Sequence, residues 1–315
     1  MDNLLLTVGA AIGALALGRV VFGLANTLAN AYLIPGKSLK EFGTEKVGKW
    51  AVVTGASDGI GREFVLQLAS QGLKVLLISR NQSKLDAVAS EAKTECKTLS
   101  FDFASASADD YARLAKVVEG LDGGVAVLIN NVGVNHEFPV PFLDETTKTA
   151  DSIVEVNILA QMRITRIVAP LMVSAKKGLI VNIGSLAGIV PSGYLSVYSA
   201  SKSFLRFWSI ALAKELAPSN VHVEHMRAFF VVTNMSKIRK PTWTTPTAKQ
   251  FVKAALKNVG KSIDSTPYPS HAIINWILSF VPESFLVDYS NQMHIDIRKR
   301  ALKKKEREAA AAKKE

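Results

Sequence analysis

The chain has 315 residues, 48% of them hydrophobic and 21% charged, with a formal net charge of +11. That length buries one large core or two smaller ones, and that apolar content excludes disorder for most of the chain. The single cysteine, Cys96, cannot close an internal disulfide, which excludes a disulfide-stapled module and fits a domain facing a reducing compartment.

From Leu4 to about Ile34 the chain is almost wholly apolar, interrupted by Arg19, Asn26 and Asn30. A spanning helix needs roughly 20 apolar residues to cross a ~30 Å hydrocarbon core, so residues 1–35 are expected to anchor the chain in a membrane. Lys37, Lys40, Lys46 and Lys49 follow this stretch and only Asp2 precedes it, a bias that places the C-terminal bulk in the cytosol. Arg19 near mid-span is costly unless it snorkels or pairs; an interfacial or buried helix is the competing reading. Residues 36–48 read as a linker.

From Lys49 strand and helix patterns alternate. Trp50-Ala51-Val52-Val53 is a buried strand. The turn Thr54-Gly55-Ala56-Ser57-Asp58-Gly59-Ile60-Gly61 follows, and then a helix with Phe64, Val65, Leu68 and Ala69 on one face. Glycines at a strand-to-helix turn permit a tight bend and bring backbone N–H groups close to a phosphate, to which the helix N-terminus adds partial positive charge. Leu73 to Arg80 reads as a second strand, followed by a polar helix from Lys84 to Lys93. A third strand ends at Leu99-Ser100-Phe101-Asp102, and a fourth runs from Val125 to Asn131. A long amphipathic helix near 150–171 precedes the fifth strand, Leu179 to Ile183; a helix from Tyr198 to Leu216 precedes the sixth, Val221 to Met226. Continuous apolar strands separated by helices imply a doubly wound α/β domain with a parallel sheet covered on both faces. This domain is assigned to residues 49–240.

Past Thr233 the regularity fades. One helix is expected from Thr247 to Val259. His271 to Val281 is apolar but too short to span, and either covers a pocket, dips into the membrane interface or simply packs. Residues 241–297 are read as an extension and 298–315 as a basic tail, solvated or touching anionic lipid. From Asp296 to Glu315 nine Lys/Arg stand against four Asp/Glu. The tail lacks interleaved aromatics, so nucleic acid is not an expected partner. None of the five histidines sits at metal-ligand spacing, so no metal is expected.

Tyr198 and Lys202 stand one helical turn apart on the same face. A phenol titrates near about 10 in water, and a neighbouring ammonium brings it closer to the working range. Ser185 ends the fifth strand, at the edge where a parallel sheet holds its ligand, and its hydroxyl can donate to a carbonyl oxygen. Asn130-Asn131-Val132-Gly133 ends the fourth strand at the same edge. Asn157 is an amide among Ile153, Val156 and Ile158. Each feature alone is compatible with an ordinary helix or loop surface.

Together these motifs, from about Trp50 to Thr233, resemble the short-chain dehydrogenase/reductase superfamily. The resemblance implies a fold that binds NAD(P), with Tyr198 as proton donor to a substrate carbonyl, Ser185 holding that carbonyl, Lys202 lowering the phenol's pKa and binding the nicotinamide ribose, and Asn157 positioning a relay water. It likewise implies that Gly55, Ser57, Asp58, Gly59, Ile60 and Gly61 admit the pyrophosphate, that Asp102 contacts adenine, that Asn131 and Gly133 line the adenosine side, and that Val231 and Thr233 reach the carboxamide. The second strand ends in Ser79-Arg80, with Arg62 and Lys84 nearby, rather than in a carboxylate; a guanidinium there pairs with a 2′-phosphate, so NADPH is the expected cofactor and reduction the expected direction. Two departures stand out: Val132 replaces the family's alanine, and Ala228-Phe229-Phe230-Val231-Val232-Thr233 lacks its Pro-Gly, which leaves the backbone path there open.

The Phe-Phe-Val-Val-Thr run, the N-terminal anchor and the basic end are similar to the membrane-bound very-long-chain 3-oxoacyl-CoA reductases of the endoplasmic reticulum. This second resemblance implies a long-chain 3-oxoacyl-CoA substrate, contact with membrane lipid and with other fatty acid elongation enzymes, and a catalytic domain on the cytosolic face. The alternatives are a 17β-hydroxysteroid dehydrogenase and a non-catalytic membrane scaffold of the elongation complex.

Overall fold

The structure, a computed structural model, describes residues 2–45 and 48–312; Lys46 and the last three residues of the basic tail lie outside them. Helix α1 (Asp2–Leu28) continues into a π turn, Ala29–Leu33. The stretch Leu6–Leu33 has a mean hydropathy of 1.9, and none of its most apolar window is buried against the rest of the chain. Its foot is tied down. Gly36 N donates to Lys257 O at 2.9 Å, Lys37 N to Val259 O at 2.7 Å, and Lys261 Nζ to Asn30 O at 2.6 Å. The expected linker is docked as well: a 3₁₀ turn, Leu39–Phe42, is closed by a Ser38–Glu41 capping box and buries Leu39 and Phe42.

The α/β domain then follows as β1 (Trp50–Thr54), α2 (Gly59–Ala69), β2 (Lys74–Ser79), α3 (Gln82–Ala92), β3 (Cys96–Ser100), α4 (Ala108–Glu119), β4 (Val125–Asn130), α5 (Thr147–Val154), α6 (Ala160–Ala175), β5 (Gly178–Ser185), α7 (Ser196–Leu216), β6 (Val221–Ala228), α8 (Ala248–Asn258), β7 (Asp264–Ser265), α9 (Pro269–Leu278) and α10 (Glu283–Ala312). The sheet has seven strands in the order β3-β2-β1-β4-β5-β6-β7, every pair parallel. Successive residues of a strand point to opposite faces. In β1, Ala51 and Val53 enter the core under α2, α3 and α8, while Trp50 and Val52 enter the core under α4 and α6. Both faces are covered, which is why these strands read as unbroken apolar runs.

Three elements differ from the sequence reading. β7 is two residues long and carries no periodic signal. The long helix expected near 150–171 is two helices joined by a π turn, Glu155–Leu159, and that turn carries Asn157. Helix α10 runs unbroken across position 298, because its polar second half continues a helix whose first half is docked on the domain.

Polar groups also tie the sheet to its helices. Asn130 Nδ2 donates to Asn182 Oδ1 at 2.8 Å and Thr165 Oγ1 at 2.9 Å, and Asn182 Nδ2 to Ser209 Oγ at 2.8 Å, all of them buried. Phe251 of α8 is fully buried in the core beneath α2. Phe251→Ala is expected to cost about 3–5 kcal/mol, read as a lowered midpoint in denaturant unfolding followed by far-UV circular dichroism.

Candidate active site

The strand order reverses between β1 and β4, which leaves a crevice at their C-terminal ends. A cavity of about 720 Å³ opens there. Gly55 and Gly59 hold φ of +64° and +55°, conformations that side chains resist. A Cβ on Gly55 would lie 2.8 Å from Asn131 Nδ2, and one on Gly61 would lie 2.1 Å from Gly55 O. The turn can close only around bare glycines. Asn131 fastens it from the neighbouring strand: its Nδ2 donates to Thr54 O at 3.0 Å, and its N–H to Thr54 Oγ1 at 3.0 Å. Asp58 caps α2 by accepting from Gly59 N at 2.7 Å.

Of the residues expected to hold a dinucleotide, Gly55, Asp58, Gly59, Ile60, Arg80, Asp102, Asn131, Gly133, Val231 and Thr233 line the cavity. Ser57 and Gly61 do not. Ser57 Oγ pairs with Ser79 Oγ at 2.8 Å, and Gly61 serves close packing of α2 on the turn. Arg80 is exposed at the end of β2 and has no ion-pair partner among the described residues. Arg62, expected beside it, is instead bound to Glu63 at 2.9 Å and Glu91 at 2.5 Å, so it is spent within the protein. Bare glycines, a helix N-terminus and an uncommitted guanidinium suit an adenine dinucleotide carrying a 2′-phosphate.

At the other end of the crevice, β5 delivers Ser185 and the first turns of α7 deliver Tyr198 and Lys202. The loop between them lies flat on α7: a Cβ on Gly188 would sit 2.7 Å from Lys202 O, while Ser203 Oγ bonds Gly188 O at 2.8 Å. Burial pushes the Tyr198 phenol up, and a hydrogen bond from Ser185 offsets this in part. Burial also pushes the Lys202 ammonium down to about 8. Lys202 Nζ donates to Ile183 O at 3.1 Å and stands 5.9 Å from the Tyr198 ring centroid. Burial therefore sets the direction for the phenol here, and Ser185, rather than Lys202, is the group that counters it. A phenol held up in this way stays protonated at neutral pH, as a proton donor must.

Asn157 lies outside the cavity wall. Its Oδ1 accepts from Val134 N at 2.8 Å, and its Nδ2 donates to Val134 O at 3.0 Å and Ser201 Oγ at 3.1 Å. Both amide hydrogens are spent, so the side chain clamps the β4–α5 loop onto α7 rather than holding out a donor to water. The path after β6, left open by the missing Pro-Gly, is fixed by α9. The Phe229 ring stacks on His271 at 4.9 Å, and Phe229 N donates to His271 Nδ1 at 3.5 Å. With His271 Nε2 facing Thr244 O at 3.0 Å, the ring must carry its proton on Nε2, and burial lowers its pKa to about 4.

The outer half of the cavity was legible only in part: covering a pocket is one of the readings of 271–281, while the part taken by α10 was not read as a site. That half is formed by Ile274 and Leu278 of α9 and by Leu286, Tyr289, Met293 and His294 of α10. The available signal was the helical spacing of Leu286, Tyr289/Ser290 and Met293/His294. Ser290 Oγ donates to Ser192 Oγ at 3.1 Å and His294 Nδ1 donates to Gly193 O at 3.0 Å, which docks α10 on the loop between β5 and α7. Gly193 leaves room for Asn291, whose Oδ1 lies 2.2 Å from where a Cβ would stand.

Comparison with known proteins agrees with this geometry. The short chain dehydrogenase family model matches residues 49–243. The chain is 45% identical over 314 residues to the very-long-chain 3-oxoacyl-CoA reductase of Podospora anserina, covering 95% of this chain and 91% of that one. It is 43% identical over 314 residues to the protein of the same name in Neurospora crassa, covering 95% and 93%. Among solved structures it is similar to a short-chain dehydrogenase from Sphingobium yanoikuyae in complex with NADPH, at 27% identity and a TM-score of 0.65 over 73% of this chain and 92% of that one. A metagenomic short-chain oxidoreductase in complex with NADP matches at 31% identity and a TM-score of 0.60 over 71% and 98%.

Burial of Lys202 has a thermodynamic consequence. A lysine whose folded pKa is about 8 instead of 10.5 costs the folded state about 3 kcal/mol below pH 8. The cost fades as pH rises from 8 to 10.5, where the unfolded chain binds the extra proton. Lys202→Met should therefore raise the thermal midpoint at about pH 7, with a stability gain of up to that about 3 kcal/mol less the lost bond to Ile183, and a smaller gain at about pH 10. Scanning calorimetry at both pH values checks the sign and the trend.

Proposed function

The chain belongs to the short-chain dehydrogenase family, and on that premise we propose that it reduces very-long-chain 3-oxoacyl-CoA to 3-hydroxyacyl-CoA with NADPH. It is an NADP-dependent oxidoreductase. The observation that carries the substrate reading is one continuous cavity that joins the nucleotide turn to an apolar outer half, with Ser185, Tyr198 and Lys202 at the junction. Two relatives that match nearly end to end bear the name of this reductase.

Nicotinamide, when bound, supplies the hydride that the 3-oxo carbon accepts. The chain's own residues govern the rest. Ser185 donates a hydrogen bond to the carbonyl oxygen and stabilises the charge that develops there. Tyr198, protonated at neutral pH, gives its proton to that oxygen, which completes the alcohol. Lys202, charged below about pH 8, stabilises the phenolate left behind. Val190, Leu195, Ile274 and Leu278 flank the path of the acyl chain and exclude water. Asn157 acts through position, holding the β4–α5 loop against the catalytic helix.

The bare helix α1 anchors the protein in the endoplasmic reticulum membrane, with the catalytic domain in the cytosol and other fatty acid elongation enzymes as neighbours in that bilayer. What supports this is the apolar surface of Leu6–Leu33 and the lysines at its foot, Lys37 and Lys40. An acyl-CoA suits such a setting: its tail partitions into lipid while its polyanionic head favours a basic surface.

The test is NADPH oxidation by the reconstituted full chain offered a long-chain 3-oxoacyl-CoA or a 17-ketosteroid. The thioester should be the faster substrate, and Tyr198→Phe should lower its turnover by about 10²–10⁴-fold. Preference for the steroid would overturn the substrate, and NADPH binding without turnover of either would overturn the enzyme. Arg80→Ala should raise KM for NADPH about 10- to 100-fold, the worth of a charged hydrogen bond, and leave the KM for NADH nearly unchanged. Steady-state kinetics with both nucleotides reads this directly.

A further inference from the structure

Helix α9 and the start of α10 present an apolar surface that the other described residues leave exposed. Ile277 is 49% exposed, Phe280 54%, Phe285 62% and Tyr289 65%. From Pro269 to Val281 there is no Asp, Glu, Lys or Arg. This surface adjoins α1: the Trp276 indole lies against the backbone at Gly23, where a Cβ would stand 3.0 Å from Nε1, and Trp276 meets Phe280 edge-to-face at 5.0 Å.

The depth of that contact follows from helix geometry. Leu6–Leu33 is 28 residues, about 42 Å of helix, some 12 Å more than a ~30 Å hydrocarbon core. If all the surplus projects on the α9 side, hydrocarbon still extends from Leu6 to about Ala25, which leaves Gly23 and Trp276 inside it. If Arg19 instead sets the limit by reaching for headgroups, Gly23 lies about 6 Å farther on, at the headgroup level. Either limit puts α9 in the membrane interface. Lys37, Lys257 and Lys261 gather at the foot of α1, where anionic headgroups would lie.

The same two helices wall the cavity. Ile274 and Leu278 line it on α9, the first one turn from the exposed Ile277 and the second next to it, and Tyr289 both lines it and is exposed, so it stands at the mouth. We propose that the α9–α10 junction inserts into the lipid surface beside α1 and opens the cavity mouth onto the bilayer, so that an acyl chain reaches the active site from within the lipid. The occupant of this apolar surface is the cytosolic leaflet. The inference rests on α1 spanning the membrane and, for its acyl ligand, on the reductase reading.

The experiment uses the full chain carrying Cys96→Ser, with a single cysteine introduced as Phe280→Cys, Phe285→Cys or, for comparison, the exposed Glu119→Cys. Each variant is labelled with an environment-sensitive fluorophore and reconstituted in phosphatidylcholine vesicles. The labels at 280 and 285 should emit to the blue of the label at 119, and nitroxide placed near the head of the lipid acyl chains should quench most of their emission while leaving the label at 119 unaffected. In parallel, the double variant Phe280→Ser/Phe285→Ser should raise KM about tenfold for a long-chain 3-oxoacyl-CoA presented in vesicles, with no change for a short, water-soluble one. Labels that report water while wild type reduces both thioesters would overturn insertion and leave the reductase intact. Equal rises in both KM values would overturn access through lipid. Quenching as expected from a wild-type protein that reduces neither thioester would support insertion and overturn the function instead.

Discussion

The contact between Gly61 and the carbonyl of Gly55 is the constraint on which the rest of the site depends. A Cβ there would stand 2.1 Å from that oxygen, so only a glycine lets α2 start directly over the end of β1. The start of the helix fixes where its free N–H groups point. Asn131 then locks the turn from β4, across the place where the strand order reverses. The crevice that results is a property of the sheet's connectivity, and the glycines make its inner wall thin enough for a phosphate to approach backbone.

The opposite wall is held by side chains that reach across the fold. Asn157, on a π turn, grips both polar groups of Val134 and the hydroxyl of Ser201. His271 supports the segment after β6, and His294 with Ser290 supports the loop after β5. Buried loops need such partners, because an unpaired backbone group away from water costs about as much as a lost hydrogen bond. The clamp reaches Tyr198 through its backbone, since Ser201 Oγ donates to Tyr198 O at 2.7 Å, and leaves the phenol free.

Function is bought with stability at Lys202. Its ammonium is largely buried at the cavity wall, with Ile183 O as its hydrogen-bond acceptor. Packing alone would favour an apolar residue. The burial that makes the lysine costly also raises the pKa of the Tyr198 phenol, so one pocket shifts both groups.

The doubly wound fold, its six longer strands, the glycine turn and the Ser185, Tyr198 and Lys202 cluster were legible in the sequence. Each is encoded locally, by apolar periodicity, by glycine spacing or by a helical offset on one face. β7 was not legible, since two residues carry no period. The fate of Arg62 was not legible either, because its partner Glu91 lies on another helix. Nor could spacing show that Asn157 is fully occupied, or that α9 and α10 roof the cavity beside α1. What the sequence determined by itself was which chemistry the chain carries and that it holds an apolar helix long enough to span. Only the tertiary structure decided which charged groups are spent on one another, which control the pKa of the phenol and where the cavity opens, because those depend on distances between elements that the chain brings together from far apart.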